Sequence, residues 1–102
     1  MPSVRINTRQ TEGSVLVQVL FSHPMESGRV IDAQGIVIPA WYLTEVSLHL
    51  NDEPISLVTL SSLISKNPVL SFELADAQPG DDIKVRWTDS RAKTGERSAK
   101  LA

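Results

Sequence analysis

The sequence has no cysteine. Without a thiol there is no disulfide framework, no thiolate nucleophile and no cysteine-ligated zinc or iron–sulfur centre. Basic residues are not in excess either, because ten Lys and Arg stand against twelve Asp and Glu and the net charge is −2. Phosphate backbones select strongly basic proteins, and apolar runs such as residues 36–38 are far shorter than the ~20 residues that span a bilayer. We therefore expect neither a nucleic-acid partner nor a membrane-embedded chain.

A recognisable secretory signal is also missing. The first residues, Met1-Pro2-Ser3-Val4-Arg5, show neither a basic region followed by an apolar one nor a small-residue cleavage site. Three interpretations are open on this evidence: a cytoplasmic protein, a mature form, or a chain carried across a membrane by another protein.

The residues that are present predict one small domain over residues 1–102, with 41% apolar residues. Short segments of apolar and polar alternation are typical of β-strands, and no helical periodicity is sustained. About seven such segments predict an all-β, two-sheet antiparallel sandwich: residues 4–8, 14–21, 43–50, 55–60, 69–74, 83–88 and 94–101. The expected core consists of Val15, Val17, Val19, Val46, Leu48, Leu50, Leu70, Phe72, Leu74, Ile83, Val85 and Trp87.

Several of the segments that connect the predicted strands also contain residues typical of turns or loops. Residues 51–54 predict a turn, and residues 61–66 predict a loop or a single helical turn. The segment at 22–40 is longer than a compact domain normally contains without a purpose, and its second half predicts a short hairpin around a bend at 32–35. On the outer side of the strand at 14–21, Leu16 and Leu20 flank Gln18. We expect that side to meet a loop of the same chain or a partner.

Catalytic and metal-binding patterns are absent from the sequence. His23 and His49 are the two histidines, and neither has a further ligand at a metal-binding spacing. No G-x-S-x-G run indicates a serine hydrolase, the glycines are too scattered for a phosphate-binding loop, and the pair at 81–82 lies in a surface turn. We expect no enzyme activity, no cofactor and no metal.

The aromatic pair Trp41-Tyr42 follows Pro39. Such a pair either caps a core or lies exposed as an interface anchor. Core capping is favoured for Trp41, and both interpretations stay open for Tyr42. The basic residues toward the C-terminus fit the solvated face of the last two strands, with an acidic partner surface as the other interpretation.

Short runs in the long segment point to a family. They read His-Pro-Met-Glu-Ser-Gly at 23–28, Asp-Ala-Gln-Gly at 32–35 and Ile-Pro-Ala at 38–40. Further along come Asn-Pro-Val-Leu-Ser-Phe at 67–72 and Trp-Thr-Asp at 87–89. Together they resemble the SoxZ family, the small subunit of the SoxYZ carrier of bacterial thiosulfate oxidation, over most of the chain.

The resemblance implies an immunoglobulin-like sandwich that supplies no catalytic group and pairs with a SoxY-like protein. On that partner, a C-terminal arm with one cysteine holds the sulfur intermediates while separate Sox enzymes add and oxidise them. The partner also carries the export signal, so the resemblance implies a periplasmic pair. Candidate partner-binding residues are His23, Pro24, Met25, Glu26, Gly28, Trp41 and Tyr42.

Alternative interpretations accompany this one. The run at 23–28 is either a recognition element or a loop packed on its own sandwich, with Met25 plugging the core and Glu26 bonding backbone donors. A copper accessory domain using His23, Met25 and His49, or a generic immunoglobulin-like binding module, would be a different class of protein. Formation of a homodimer by the isolated chain is a further hypothesis.

Overall fold

The computed structural model describes residues 3–101, and in that range the chain is all-β. Seven strands lie in these residues: β1 (Ser3–Thr11), β2 (Ser14–Ser22), β3 (Leu43–Leu50), β4 (Glu53–Thr59), β5 (Val69–Leu74), β6 (Asp82–Asp89) and β7 (Thr94–Lys100). They form two antiparallel sheets, ordered β1-β2-β5 and β4-β3-β6-β7. The predicted immunoglobulin-like sandwich is confirmed. Over the same residues there is no helix of the length and apolar character that crossing a membrane requires.

The core lies between the sheets, where the alternating strands point their apolar sides inward. In β2, the burial pattern places Val15, Val17, Val19 and Phe21 inside and exposes Gln18. In β6, Ile83, Val85 and Trp87 are inside. Because side chains alternate with a period of two, a one-residue slip of either strand would turn its whole apolar set outward. Burial therefore sets the register.

The edges of the sheets account for the differences from the expected core. Leu70, Phe72 and Leu74 are half-buried because β5 is an edge strand, and Leu50 is half-buried at the end of β3. In their place, the core takes residues from strand ends, from the long segment and from the connection between β5 and β6. These additional core residues are Val4, Phe21, Met25, Leu43, Leu60, Ala77 and Leu101.

The Trp87 ring occupies the space that a side chain at residue 95 would need. Trp87 faces Gly95 across β6 and β7, and a Cβ added to Gly95 would collide with its indole ring. Phe21 contacts the same indole edge-on, with ring centroids 5.7 Å apart. Glycine in an edge strand thus allows a large aromatic residue to close this side of the core.

The turn after β3 is shorter than the sequence predicts. Asn51 and Asp52 both have positive φ, 51° and 66°, and make a two-residue turn, after which β4 begins at Glu53. Asn and Asp tolerate this left-handed backbone, which matches the twist of the flanking strands. Pro54 is therefore inside β4 rather than in the turn, which an edge strand permits. Residues 61–66 contain a turn in which Ser61 accepts a hydrogen bond from Ile64 N–H.

Candidate functional site

Three segments meet at one end of the sandwich, which we call the loop end: residues 23–42, residue 67 and residues 89–93. The first segment carries the chain from β2 in one sheet to β3 in the other. Residues 90–93 join β6 to β7. Asn67 lies just before β5 and pairs with His23 through two hydrogen bonds, described below. Most of the residues singled out by the sequence lie here.

His23 is buried, with 1% of its surface exposed. Its backbone N–H donates to Asn67 Oδ1 at 3.0 Å, and its carbonyl accepts from Asn67 N–H at 2.8 Å. Its Nδ1 accepts the backbone N–H of Met25 at 3.0 Å, so in the neutral ring the proton is on Nε2. Within residues 3–101, Nε2 has no hydrogen-bond partner.

The surroundings of His23 favour the neutral imidazole. Burial lowers the pKa of His23 below its ordinary value of 6.5; the carboxylate of Asp89 opposes this shift, and the guanidinium of Arg91 adds to it. Protonation would also remove the lone pair on Nδ1 that accepts the Met25 N–H. A neutral His23 is therefore part of how the segment is folded.

Met25 fills the core at this end. It is buried, its backbone is left-handed at φ 50°, and its Sδ accepts the N–H of Leu43 at 3.4 Å. A flexible thioether suits an irregular gap between two sheets. Pro24, by contrast, is exposed. The interpretation that Met25 plugs the core is thus the one that matches its position.

Glu26 and Trp41 tie the two ends of the segment together through their backbones. Glu26 N–H donates to the Trp41 carbonyl at 2.7 Å, and Trp41 N–H donates to the Glu26 carbonyl at 2.9 Å. Over the described residues, no hydrogen bond forms to the Glu26 carboxylate. Beyond this bridge, Gly28 has φ +82°, and a Cβ on it would come 3.1 Å from Ala40 Cβ. Glycine is required there by both the backbone and the close approach.

Asp89 holds the rest of the loop end, and sequence reasoning assigned it no role. Its Oδ2 accepts the indole N–H of Trp41 at 3.0 Å, and its Oδ1 accepts the backbone N–H groups of Arg91 and Lys93 at 2.8 and 2.9 Å. Burial favours a higher pKa for Asp89, but the hydrogen bonds from Trp41, Lys93 and Arg91 outweigh it and lower the pKa below its usual 3.8. The available signal was an Asp at the end of a strand and directly before a turn, because such residues bond nearby backbone N–H groups.

Trp41 is the common contact of these groups. Its ring lies 4.6 Å from the His23 ring, centroid to centroid, and the guanidinium carbon of Arg91 lies 4.9 Å from its centroid. The ring is half-buried rather than exposed. Tyr42 is also half-buried and packs on the core, while its backbone exchanges hydrogen bonds with Ser90: its N–H donates to Oγ at 3.1 Å and its carbonyl accepts the Ser90 N–H at 2.8 Å.

The predicted hairpin in the second half of the long segment is present. Asp32 N–H donates to the Ile36 carbonyl at 2.8 Å, and Ile38 N–H donates to the Val30 carbonyl at 2.8 Å. The Asp32 Oδ1 accepts the N–H groups of Gln34 and Ile36, which sets the bend. Four aliphatic side chains on this hairpin are exposed: Val30, Ile31, Ile36 and Val37, by 49%, 61%, 63% and 51%.

The two histidines lie far apart. His49 is on the outer side of β3, with Nε2 3.0 Å from Ser47 Oγ, and β3 starts from the loop end at Leu43. His49 is six residues along β3 from Leu43, which places it about 20 Å from the loop end. In the described part of the chain, no group of three or more His, Cys, Asp or Glu is placed to hold a metal ion. The side chains of the loop end thus bond to their own backbone and to each other.

Together these features define a class of protein: an immunoglobulin-like sandwich module whose loop end is held by its own buried polar groups and presents an apolar hairpin. The particular family follows from comparison with known proteins. The family model described as sulphur oxidation protein SoxZ matches residues 4–100, so the chain belongs to the SoxZ family. This membership indicates a role in sulfur oxidation, as part of a Sox complex. A search of curated proteins gave no significant match.

Proposed function

We propose that this chain is the non-catalytic subunit of a SoxYZ-type carrier, paired with a SoxY-like protein whose C-terminal cysteine holds the sulfur intermediates. The observation that carries the proposal is the SoxZ family match over residues 4–100. The absence of cysteine from the sequence supports it, because a covalent sulfur carrier needs a thiol and this chain cannot supply one. The thiol must then belong to the partner.

A non-catalytic role also fits the chemistry of the loop end. His23 is buried and neutral, and its Nδ1 is occupied by a backbone N–H. The two carboxylate oxygens of Asp89 accept three hydrogen bonds. A general base needs reach to a substrate proton and a suitable pKa. These two groups fit a structural role.

The candidate residues divide into supporting and contacting groups. Buried His23 and Met25 hold the segment in place, and the Glu26–Trp41 backbone bridge closes it. Exposed Pro24 and the exposed aliphatic residues of the hairpin are left to meet the partner. Exposed aliphatic clusters on a small domain commonly mark protein interfaces. We infer that His23 and Met25 act on partner binding by positioning these contacts.

Co-expression with the SoxY-like protein tests the pairing. We expect one peak in size-exclusion chromatography that contains both chains at one to one by intact mass. Separate elution of the two folded chains, or a homodimer of this chain that excludes the partner, would contradict the proposal.

A matched pair of variants tests the contacting role of the hairpin. Ile36 and Leu57 are equally exposed, at 63% and 64%, but Leu57 lies on β4. We expect Ile36→Ser to weaken partner binding about tenfold or more, as for an anchor residue, and Leu57→Ser to leave it unchanged in titration calorimetry. Equal affinities for the two variants would remove the hairpin from the interface.

The run at 23–28 has its own pair of variants. Met25→Ala removes a buried side chain, whereas Glu26→Ala removes the side chain of a half-buried residue whose backbone bridge stays. If the run takes part in recognition, Met25→Ala lowers both partner affinity and turnover by the assembled Sox system. The recognition role fails if both variants bind and turn over like the parent protein.

We propose a periplasmic location for the pair, with the export signal on the partner. Cell fractionation with and without the partner gene tests it, using a periplasmic and a cytoplasmic marker enzyme. We expect this chain in the periplasm only when the partner is present. Export of this chain alone would refute joint export.

A further inference from the structure

The outer face of the β1-β2-β5 sheet combines two leucines of its central strand with arginines along one side. Its three strands are in register, so residues lie in rows across the sheet. One row is Arg5–Leu20–Val69, the next is Asn7–Gln18–Ser71, and the third is Arg9–Leu16–Glu73.

This face is open to solvent. Gln18, at its centre, is exposed, and so is Val69, by 53%. Leu16 and Leu20 on either side of Gln18 are half-buried. The sequence left two options for these leucines, a covering loop or a partner. Since the residue between them is exposed, no loop of the described chain covers the middle of this face, and a partner can reach it.

The charges on this face are free for an outside partner. Arg5 and Arg9 are exposed, and within residues 3–101 neither forms an ion pair. Three cations on the other sheet differ, because Lys84, Arg86 and Lys100 each have a carboxylate within 3.6 Å. Glu73, across the sheet from Arg9, accepts a hydrogen bond from Ser14 Oγ at 3.1 Å. The β1 side of the face is thus positive in a chain of net charge −2.

The face is continuous with the loop end. A shallow depression is lined by Arg5, Leu20, Ser22, Asn67 and Val69. Asn67 is the residue that pairs with His23, so one wall of the depression belongs to the loop end. A partner bound at the loop end can therefore extend over the leucines without a gap.

We propose that the outer face of the β1-β2-β5 sheet is a second part of the partner interface, and that it fits an apolar surface flanked by carboxylates on the SoxY-like protein. The inference rests on the proposed function for the identity of the partner. Charge complementarity selects the occupant, because two unpaired guanidiniums beside leucines favour a partner surface with carboxylates next to apolar side chains. Exposed complementary charges act mainly on the association rate and its salt dependence.

The test measures association kinetics of the purified chain with the purified SoxY-like protein. We expect the double variant Arg5→Glu/Arg9→Glu to lower the association rate constant about tenfold or more at low salt and to flatten or reverse its salt dependence. The neutral pair Arg5→Gln/Arg9→Gln should give an intermediate rate. Circular dichroism spectra that match the parent protein show that each variant is folded, and the neutral pair decides if the charge reversal does not fold.

The matched control is Arg97→Glu on β7, an edge of the other sheet, which reverses one charge that forms no ion pair within residues 3–101 and is compared with the single variant Arg9→Glu. The control should keep the parent rate to within about twofold.

Equal rates for all proteins, or equal losses in the control and the test variant, would overturn the proposed face. Loss of homodimer formation with unchanged partner association would assign the face to a second copy of this chain and overturn the proposal too. If the parent chain does not bind the SoxY-like protein at all, the proposed function fails with it; if it binds and Arg5 and Arg9 do not matter, only this inference fails.

Discussion

The body of the sandwich and its loop end are stabilised in different ways. The body is held by aliphatic side chains from strands of both sheets, such as Val17, Val46 and Val85, which are fully buried. The loop end is held by a few polar side chains that bond backbone groups, chiefly His23, Asn67 and Asp89. Apolar burial is non-directional and spread over many residues, whereas each of these hydrogen bonds needs one particular atom. A small β-domain can therefore vary most of its body and still depend on single residues for the shape of its loops.

The same contrast extends to charge. On the four-stranded sheet, Lys84, Arg86 and Lys100 are paired with carboxylates, while Arg5 and Arg9 on the three-stranded sheet are not. Exposed ion pairs contribute little to stability. Their value here is that they neutralise one face and leave the other with a net positive side. Which face attracts an acidic partner is thus decided by pairing rather than by the number of charges.

The largest expected effect is in the body. Leu48→Ala creates a cavity at a fully buried position, and we expect the free energy of unfolding to fall by about 2–5 kcal/mol in urea titrations. Leu57→Ala is the control, since Leu57 is 64% exposed on β4 and should cost little. Similar losses at the two positions would contradict the assignment of the core.

At the loop end, Asp89→Ala should cost about 1–3 kcal/mol, because three donors lose a charged acceptor. We expect the fluorescence of Trp41 to change in the folded state, measured in a Trp87→Phe background that leaves one tryptophan. Asp81→Ala is the matched control: Asp81 also bonds a turn N–H, that of Gln78, but in solvent. A larger loss of stability for Asp81→Ala than for Asp89→Ala would contradict the role assigned to Asp89 in holding the loop end.

The pH dependence of stability isolates His23. Its pKa is lowered by burial in the folded protein, so between the unfolded value of 6.5 and the folded pKa the unfolded chain binds more protons. Stability should therefore fall as the pH is lowered through this window, for example from about 7.5 to about 5.5. His23→Asn keeps an acceptor for the Met25 N–H and should flatten the dependence of the urea midpoint on pH. Asp89 does not interfere, because its pKa is lowered from 3.8 and its effect on stability is lost only below about pH 5. An unchanged slope in His23→Asn would exclude His23 as the cause.

The smallest effect should come from an exposed ion pair. Lys84 Nζ lies 3.2 Å from Asp52 Oδ1, and the Asp52 side chain is 86% exposed. We expect Asp52→Asn to change the free energy of unfolding by about 0–1 kcal/mol, and the change should shrink in high salt. Asn is chosen because it tolerates the left-handed backbone at this position. A loss as large as that of Asp89→Ala would show that surface pairs matter as much as the loop end.

Strands were predictable where the alternation of residues is strong. The predicted ranges 43–50 and 69–74 agree with β3 and β5, and the bend at 32–35 is present because Asp and Gly suit it. Burial at the edges was not predictable from the same pattern. Leu70 and Leu74 alternate as regularly as Val17 and Val19, yet β5 has a neighbour on one side only. Alternation shows which way a side chain faces, but it does not show how many strands cover it.

The loop end shows most clearly which features could not be predicted from the sequence. The sequence was enough to identify the SoxZ family and to single out residues 23–28, because a run of unusual residues is visible without a fold. The role of Asp89 depends on the tertiary structure, since Trp41 is 48 positions away and only the pairing of β3 with β6 brings its indole N–H to the carboxylate. Local residue types set strands and turns through backbone preference and the period of two. Contacts between residues distant in the chain depend on which strands pair within a sheet, and the folding of the whole core decides that pairing.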